Sequence, residues 1–172
     1  LLEEMPSNVV SRILKNTDEE RRKLINQFLN YPEDSAGSIM TIEYVSLKRT
    51  MTVQEALKHI KKIGIDKRTI HTCYVTSSKR KLEGVISIRT LILSDHDEII
   101  EDIMEKKVIY AHTMDDQEKI AALFKKYDIV TMPIVDKECR LVGIVTIDDV
   151  VDIIEQENTE DIQKMAAMEP SE

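Results

Sequence analysis

A set of carboxylates in the second half of this chain stands at spacings that let them share a cation. Asp149 and Asp152 lie three positions apart. On a helix their carboxylates point the same way, and like charges so placed cost stability unless something cationic sits among them. Glu157, Glu160 and Asp161 carry the pattern onward, while upstream Asp116 and Glu118 open a second helical pattern that Asp128 closes. Every donor is oxygen, and neither histidine nor cysteine takes part. Such a set suits a hard cation that keeps much of its water shell, magnesium before calcium, and argues against zinc or copper. A plainer reading stands beside it. Acidic residues at helix starts compensate the helix dipole, and a charge run is often a solvated face.

Other chemistries find less support. His59, His71, His96 and His112 are scattered, and no Ser/His/Asp grouping or phosphate-binding glycine loop is visible, so we do not expect an enzyme. The run Asp148 to Asp152 (DDVVD) matches the aspartate motif of prenyl-diphosphate synthases. That all-helical fold needs a second aspartate cluster and a longer chain. A net charge of −8 disfavours nucleic acid as a partner, because an acidic surface releases no counterions from a polyanion. Cys73 and Cys139 form no CxxC or Cys/His group and read as free intracellular thiols. No apolar run approaches the eighteen or so residues of a spanning helix. The chain opens on Leu1 and ends in a polar helical tail, and we expect it to be a piece of something longer.

The elements that position these residues are written twice. LEGVISIRTLIL from Leu82 answers LVGIVTIDDVVD from Leu141, and MTVQEALKHI from Met51 answers MDDQEKIAAL from Met114. Gly84 and Gly143 thus mark a tandem unit of about sixty residues that buries its face against its twin. In the first copy, strands are expected over 44–47, 72–76 and 82–86, with a helix over 52–63 opened by the Thr52/Glu55 capping box. Ser87 caps a brief helix, and 95–107 reads as a charged link. In the second copy, strands are expected over 108–111, 132–135 and 141–145. Asp115 with Glu118 caps a helix to about Tyr127, and Thr146 caps one with the apolar stripe Ile147, Val150, Val151 and Ile154. A further helical segment is expected from Asn158. Residues 1–30 read as two short amphipathic helices, the second opened by Thr17 and Glu20, and 31–38 as a connector.

These β-α-β-β-α units resemble cystathionine-β-synthase (CBS) domains. The likeness rests on Gly84-Val-Ile-Ser87, Gly143-Ile-Val-Thr146 and Met132-Pro-Ile-Val-Asp136. A glycine at the strand start lets another backbone or a ligand approach closely, and a hydroxyl at the helix N-cap leaves amide donors that suit phosphate. Across the whole chain, LLEEMP, YPEDSAGSIMTIEYV and TIDDVVDIIEQENTEDIQKM are similar to the cytosolic part of MgtE-type magnesium channels.

That resemblance implies an α+β fold, a tandem CBS pair preceded by a short helical segment. Residues 1–34 would end a helical N domain, 35–98 and 99–157 would be the CBS repeats, and 158–172 would begin a plug helix. It implies Mg²⁺ held by Asp116, Glu118, Asp128, Asp149, Asp152, Glu157, Glu160 and Asp161, with main-chain oxygens of Ser38 and Lys125. It further implies regulation of the protein's own transmembrane pore at the cytoplasmic face of the plasma membrane, and CBS pairs that homodimerise. CBS pairs also bind adenine nucleotides. The acid that holds ribose falls at Asp149 in the second repeat and is replaced by Thr90 in the first. Arg89 could still meet phosphate, and Ile129 takes the place of a stacking aromatic. ATP is therefore a second candidate ligand, and a nucleotide-sensing CBS module regulating another protein is the alternative function.

Overall fold

A computed structural model describes residues 31–64 and 69–168. The helices expected within 1–30, and their capping box, lie outside them. In chain order the elements are α1 (Ala36–Ile39), β1 (Val45–Leu47), α2 (Val53–Ile63), β2 (Thr72–Thr76), β3 (Leu82–Ser87), α3 (Ile88–Leu93), α4 (Ile100–Ile103), β4 (Ala111–His112), α5 (Gln117–Tyr127), β5 (Thr131–Val135), β6 (Leu141–Thr146) and α6 (Ile147–Ala167). The fold is α+β and the repeat is real. Each half forms a three-stranded sheet, β1-β2-β3 and β4-β5-β6, with the first pair parallel and the second antiparallel. Even the irregularities recur: a bulge follows Val75 in one sheet and Ile134 in the other. The hairpin turns place Arg80 and Cys139 at φ 67° and 61°.

Local signals account for most of the boundaries. Thr52 and Glu55 form the expected reciprocal capping box on α2, whose Val53, Ala56 and Ile60 are buried against β1–β3. Ser87 caps α3 by accepting the Thr90 N–H at 3.1 Å. Four expectations need correction. The 31–38 connector contains α1, capped by Ser35. The charged link contains α4, whose Ile100 is buried in the first core. The second repeat opens its strand at Ala111, three residues later than the pattern suggests. Finally α6 runs unbroken through Asn158, and its buried side chains are Val150 and Ile153. Ile147, Val151 and Ile154 of the expected stripe are 40%, 48% and 47% exposed, because one face of this long helix meets the core and the adjacent one does not.

The two halves are interlocked. The hairpin turns pair with each other through Leu82 N–H to Cys139 O (3.1 Å) and Leu141 N–H to Arg80 O (3.0 Å). Tyr74, fully buried, donates its hydroxyl to Thr131 Oγ1 at 2.8 Å across the halves. More telling is an exchange of straps. Residues 34–41 precede the first sheet yet pack on the second. Ala36 and Met40 join its core, Thr41 bridges Ile144, and Gly37 N–H donates to Thr113 O at 2.8 Å. Residues 99–105 follow the first repeat and close that one, with Val85 and Glu105 exchanging backbone hydrogen bonds.

This exchange explains the repeated glycines. A methyl on Gly143 would stand 3.0 Å from the Thr41 carbonyl oxygen and 2.5 Å from Met40 Sδ. One on Gly84 would meet the Glu105 oxygen at 3.0 Å and Met104 Sδ at 2.7 Å. The partner that approaches is backbone, not a ligand. Gly143→Ala should therefore lower stability by about 1–3 kcal/mol, the usual range for overpacking, read as a lower urea midpoint. An unchanged midpoint would mean that the strap stands off.

Candidate functional site

The acidic residues are positioned by α5 and α6. Ile147 N–H donates to Val130 O at 2.9 Å, which sets the start of α6 beside the end of α5. At the other end Gln117, first residue of α5, donates its side-chain N–H to Glu157 Oε1 at 2.7 Å. The helices therefore run antiparallel. At 1.5 Å per residue, the length of α5 separates Asp116 from Asp128 by roughly 16 Å, too far to share one ion. The carboxylates fall into two groups.

The first group gathers at the N-terminus of α5. Asp116, not Asp115, is the N-cap: its Oδ2 accepts the Glu118 N–H at 2.9 Å. Asp115 instead accepts the His112 N–H at 2.9 Å and pairs with Lys119 at 3.1 Å. Partial burial works against its charge, but these partners outweigh it and hold its pKa below the ordinary carboxylate value. Glu118 is shifted the other way. A hydrogen bond with Glu157 is the largest cause, followed by that residue's charge, slight desolvation, and the charges of Asp116 and Asp161. Carboxylates crowded together raise one another's proton affinity, and a cation among them would lower it again. Glu160 accepts a hydrogen bond from Gln156 Nε2 at 3.3 Å, one turn earlier.

The second group lies at the opposite end. Asp128 closes α5 in the left-handed conformation, φ 51°. Asp149 completes a capping box on α6, its Oδ2 accepting both the Thr146 N–H (3.1 Å) and hydroxyl (2.9 Å). Asp152 is exposed one turn further on, and Lys125 is exposed in the last turn of α5. Ser38 lies in α1 on the strap that meets the start of α5, where Ser35 bridges Asp116 and Ala36 N–H donates to Asp115 O at 2.7 Å, and its hydroxyl donates to Ser35 O at 2.7 Å. Among the described residues, no three His, Cys, Asp or Glu side chains converge to form a metal cage. The donor chemistry fits a hydrated, oxygen-preferring divalent cation and does not fit a closed structural site.

Sequence reasoning missed Gln117, which is only 1% exposed. Its one signal is a neutral amide set between Asp116 and Glu118 at a helix start. A separate cleft of about 300 Å³ opens between the repeats, lined by Thr72, Tyr74, Lys107, Asp128, Ile129 and Thr131 among others. Ile129 is thus placed in a cleft between repeats. Arg89 is exposed on α3 and is not one of its lining residues. Thr90 Oγ1 lies 2.9 Å from the Ser87 hydroxyl.

Residues 36–97 and 100–156 match the CBS domain, and residues 1–34 match the MgtE intracellular N domain. The magnesium transporter MgtE of Thermus thermophilus is 44% identical over 152 residues, covering 88% of this chain and 34% of that protein. The crystal structure of the soluble part of a magnesium transporter matches with a TM-score of 0.75 at 37% identity, covering 91% of this chain and 61% of that one. The cytosolic domain of the Mg²⁺ channel MgtE, solved in complex with ATP, matches at 0.71 and 32% identity, covering 88% and 77%. This chain spans about a third of the length of the curated relatives it matches.

The crowding around Glu118 has a direct readout. A carboxylate whose pKa is raised by folding destabilises the fold once ionised, so this contribution to stability falls as pH rises through the raised value. Titration followed by carboxyl carbon NMR should place Glu118 above the ordinary glutamate value of about 4.3, and Glu157→Gln should bring it back down. An ordinary Glu118 in the unaltered chain would mean that the two helices do not bring their carboxylates together.

Proposed function

The chain belongs to the MgtE family of magnesium transporters, and from that premise we propose that it is a magnesium-sensing regulatory unit acting on a pore it does not itself contain. The observation that supports this most directly is the antiparallel packing of α5 and α6, pinned by the 2.7 Å hydrogen bond from Gln117 to Glu157, which sets carboxylates of both helices side by side. Like charges so placed repel one another, and a divalent cation between them would relieve that. Mg²⁺, when bound, supplies positive charge with its own water shell, so partial coordination by each helix suffices.

In this reading Asp116, Glu118, Glu157, Glu160 and Asp161 hold cations at one end of the α5–α6 pair. Asp128, Asp149 and Asp152 hold them at the other, and the main-chain oxygens of Ser38 and Lys125 add to the set. Ions bridging outward from these groups, toward the N domain and the helix that continues from residue 158, favour a compact arrangement. A single weak site at tenfold over its Kd contributes only about 1.4 kcal/mol. Moving an equilibrium from mostly open to mostly closed takes about 5.5 kcal/mol. Several sites acting together are needed, which suits many exposed carboxylates and no single cage. The C-terminal helix, as the start of a plug, carries the compaction to the transmembrane pore at the cytoplasmic face of the membrane and closes it when Mg²⁺ is plentiful. The apolar side chains exposed on α6, Ile147, Val151 and Ile154, with Ile92 and Leu93 on α3, suit a homodimer of CBS pairs. The unit regulates and does not catalyse.

Limited proteolysis across a magnesium titration, with potassium matching the ionic strength, tests the sensor. Protection around residues 145–165 should rise with Mg²⁺ alone, and Asp152→Ala should weaken that dependence. Indifference of the native chain to Mg²⁺ would overturn the reading.

The cleft containing Ile129 supports a second reading, nucleotide sensing. Lys107 offers charge to phosphate, but Thr90 supplies no carboxylate to ribose and Ile129 gives adenine no aromatic face. We expect ATP to bind weakly. Equilibrium dialysis with labelled ATP should show retention only at high nucleotide concentration. Tight retention with no magnesium response would favour the nucleotide module.

A further inference from the structure

One buried polar side chain joins three parts of the molecule at the acidic end of α5. Gln117 is 1% exposed. Its backbone N–H donates to Asp34 O on the strap at 2.8 Å, and its side-chain amide reaches across to Glu157 Oε1 on α6 at 2.7 Å. A neutral amide buried at that depth needs partners, and Glu157 supplies a charged one, the stronger kind of hydrogen bond. Glu157 is a glutamate on a long exposed helix and would otherwise sample many rotamers. It is instead partly buried and held against the start of α5. The carboxylates on either side of Gln117, Asp116 and Glu118, are exposed.

We propose that Gln117 is the positioning residue of the magnesium-sensing site: it fixes Glu157 so that the α6 carboxylates meet those at the start of α5, and it ties that junction to the strap arriving from the N-terminal side. The inference rests on the magnesium reading above. Gln117 touches no ion in this scheme and acts through Glu157. Its register also matters. The residue that accepts the strap through its main chain is the one that holds α6 through its side chain, so a shift of the strap is transmitted to Glu157 within one residue.

Magnesium binding to the 172-residue chain would be followed by calorimetry and by protease protection, with melting in chelator as the measure of folding. Gln117→Met keeps the length and apolar fit but has no N–H, and Gln117→Asn keeps the amide but falls one methylene short. Both should raise the magnesium midpoint by about tenfold, the low end of what is lost when a residue orienting a metal ligand is removed. Melting in chelator separates this from general unfolding. Glu157→Gln should weaken binding by itself, and adding Gln117→Met to it should cost nothing more, since coupled residues fail to add. A wild-type midpoint in either folded Gln117 variant, or full additivity with Glu157→Gln, would overturn the proposal. A native chain that ignores magnesium would overturn the sensor reading itself, a separate result.

Discussion

Neither repeat closes its own core. Each sheet is completed by a strap that belongs to the other half of the chain, and the strap lies so close that a glycine must face it. Met40 and Thr41 cover Gly143, while Met104 and Glu105 cover Gly84. Close packing of this kind leaves no slack for a methyl group, so the two halves and the segment before them form one cooperative body. The paired hairpin turns and the Tyr74–Thr131 hydrogen bond add directional contacts to a join whose area is apolar.

The placement of charge follows from that join. With the strap's backbone bound at Asp34–Gly37 to the start of α5, the N-terminus of α5 cannot drift. Gln117 is then carried into a buried position where its amide meets Glu157. Two antiparallel helices bring their acidic residues together at one end, against the ordinary tendency of like charges to separate. The neighbouring carboxylates of Glu157, Asp116 and Asp161 raise the proton affinity of Glu118. Among the described residues no three such ligands converge.

The cleft between the repeats follows the same architecture with different chemistry. Its walls come from both halves, so it exists only because the repeats are interlocked. Asp128 lines it while also ending α5, so one residue belongs both to the acidic set and to the cleft. Any ligand there would therefore act on the helix that carries the other carboxylates.

Residues in sequence order determined the repeat and most of its elements, though not α1 and α4, which lie in segments that read as links. The T-x-x-E box at Thr52, the hydroxyl caps at Ser87 and Thr146, the alternating apolar strands and the paired glycines are all signals between near neighbours, and each was legible because a helix cap or a strand face is a local property. The candidate acidic residues were legible for the same reason, as i, i+3 neighbours or helix-end charges. Tertiary structure decided how they group. Spacing along the chain places Asp128 near Glu118, yet a helix of this length keeps them about 15 Å apart, while Glu157, far along the chain, is brought within reach. It also decided that Asp116, not Asp115, caps α5, because the strap and Lys119 claim the neighbouring groups. Gln117 was invisible for the most basic reason: its importance lies in a single long-range contact, and a sequence records which residues are adjacent along the chain but not which will be buried together.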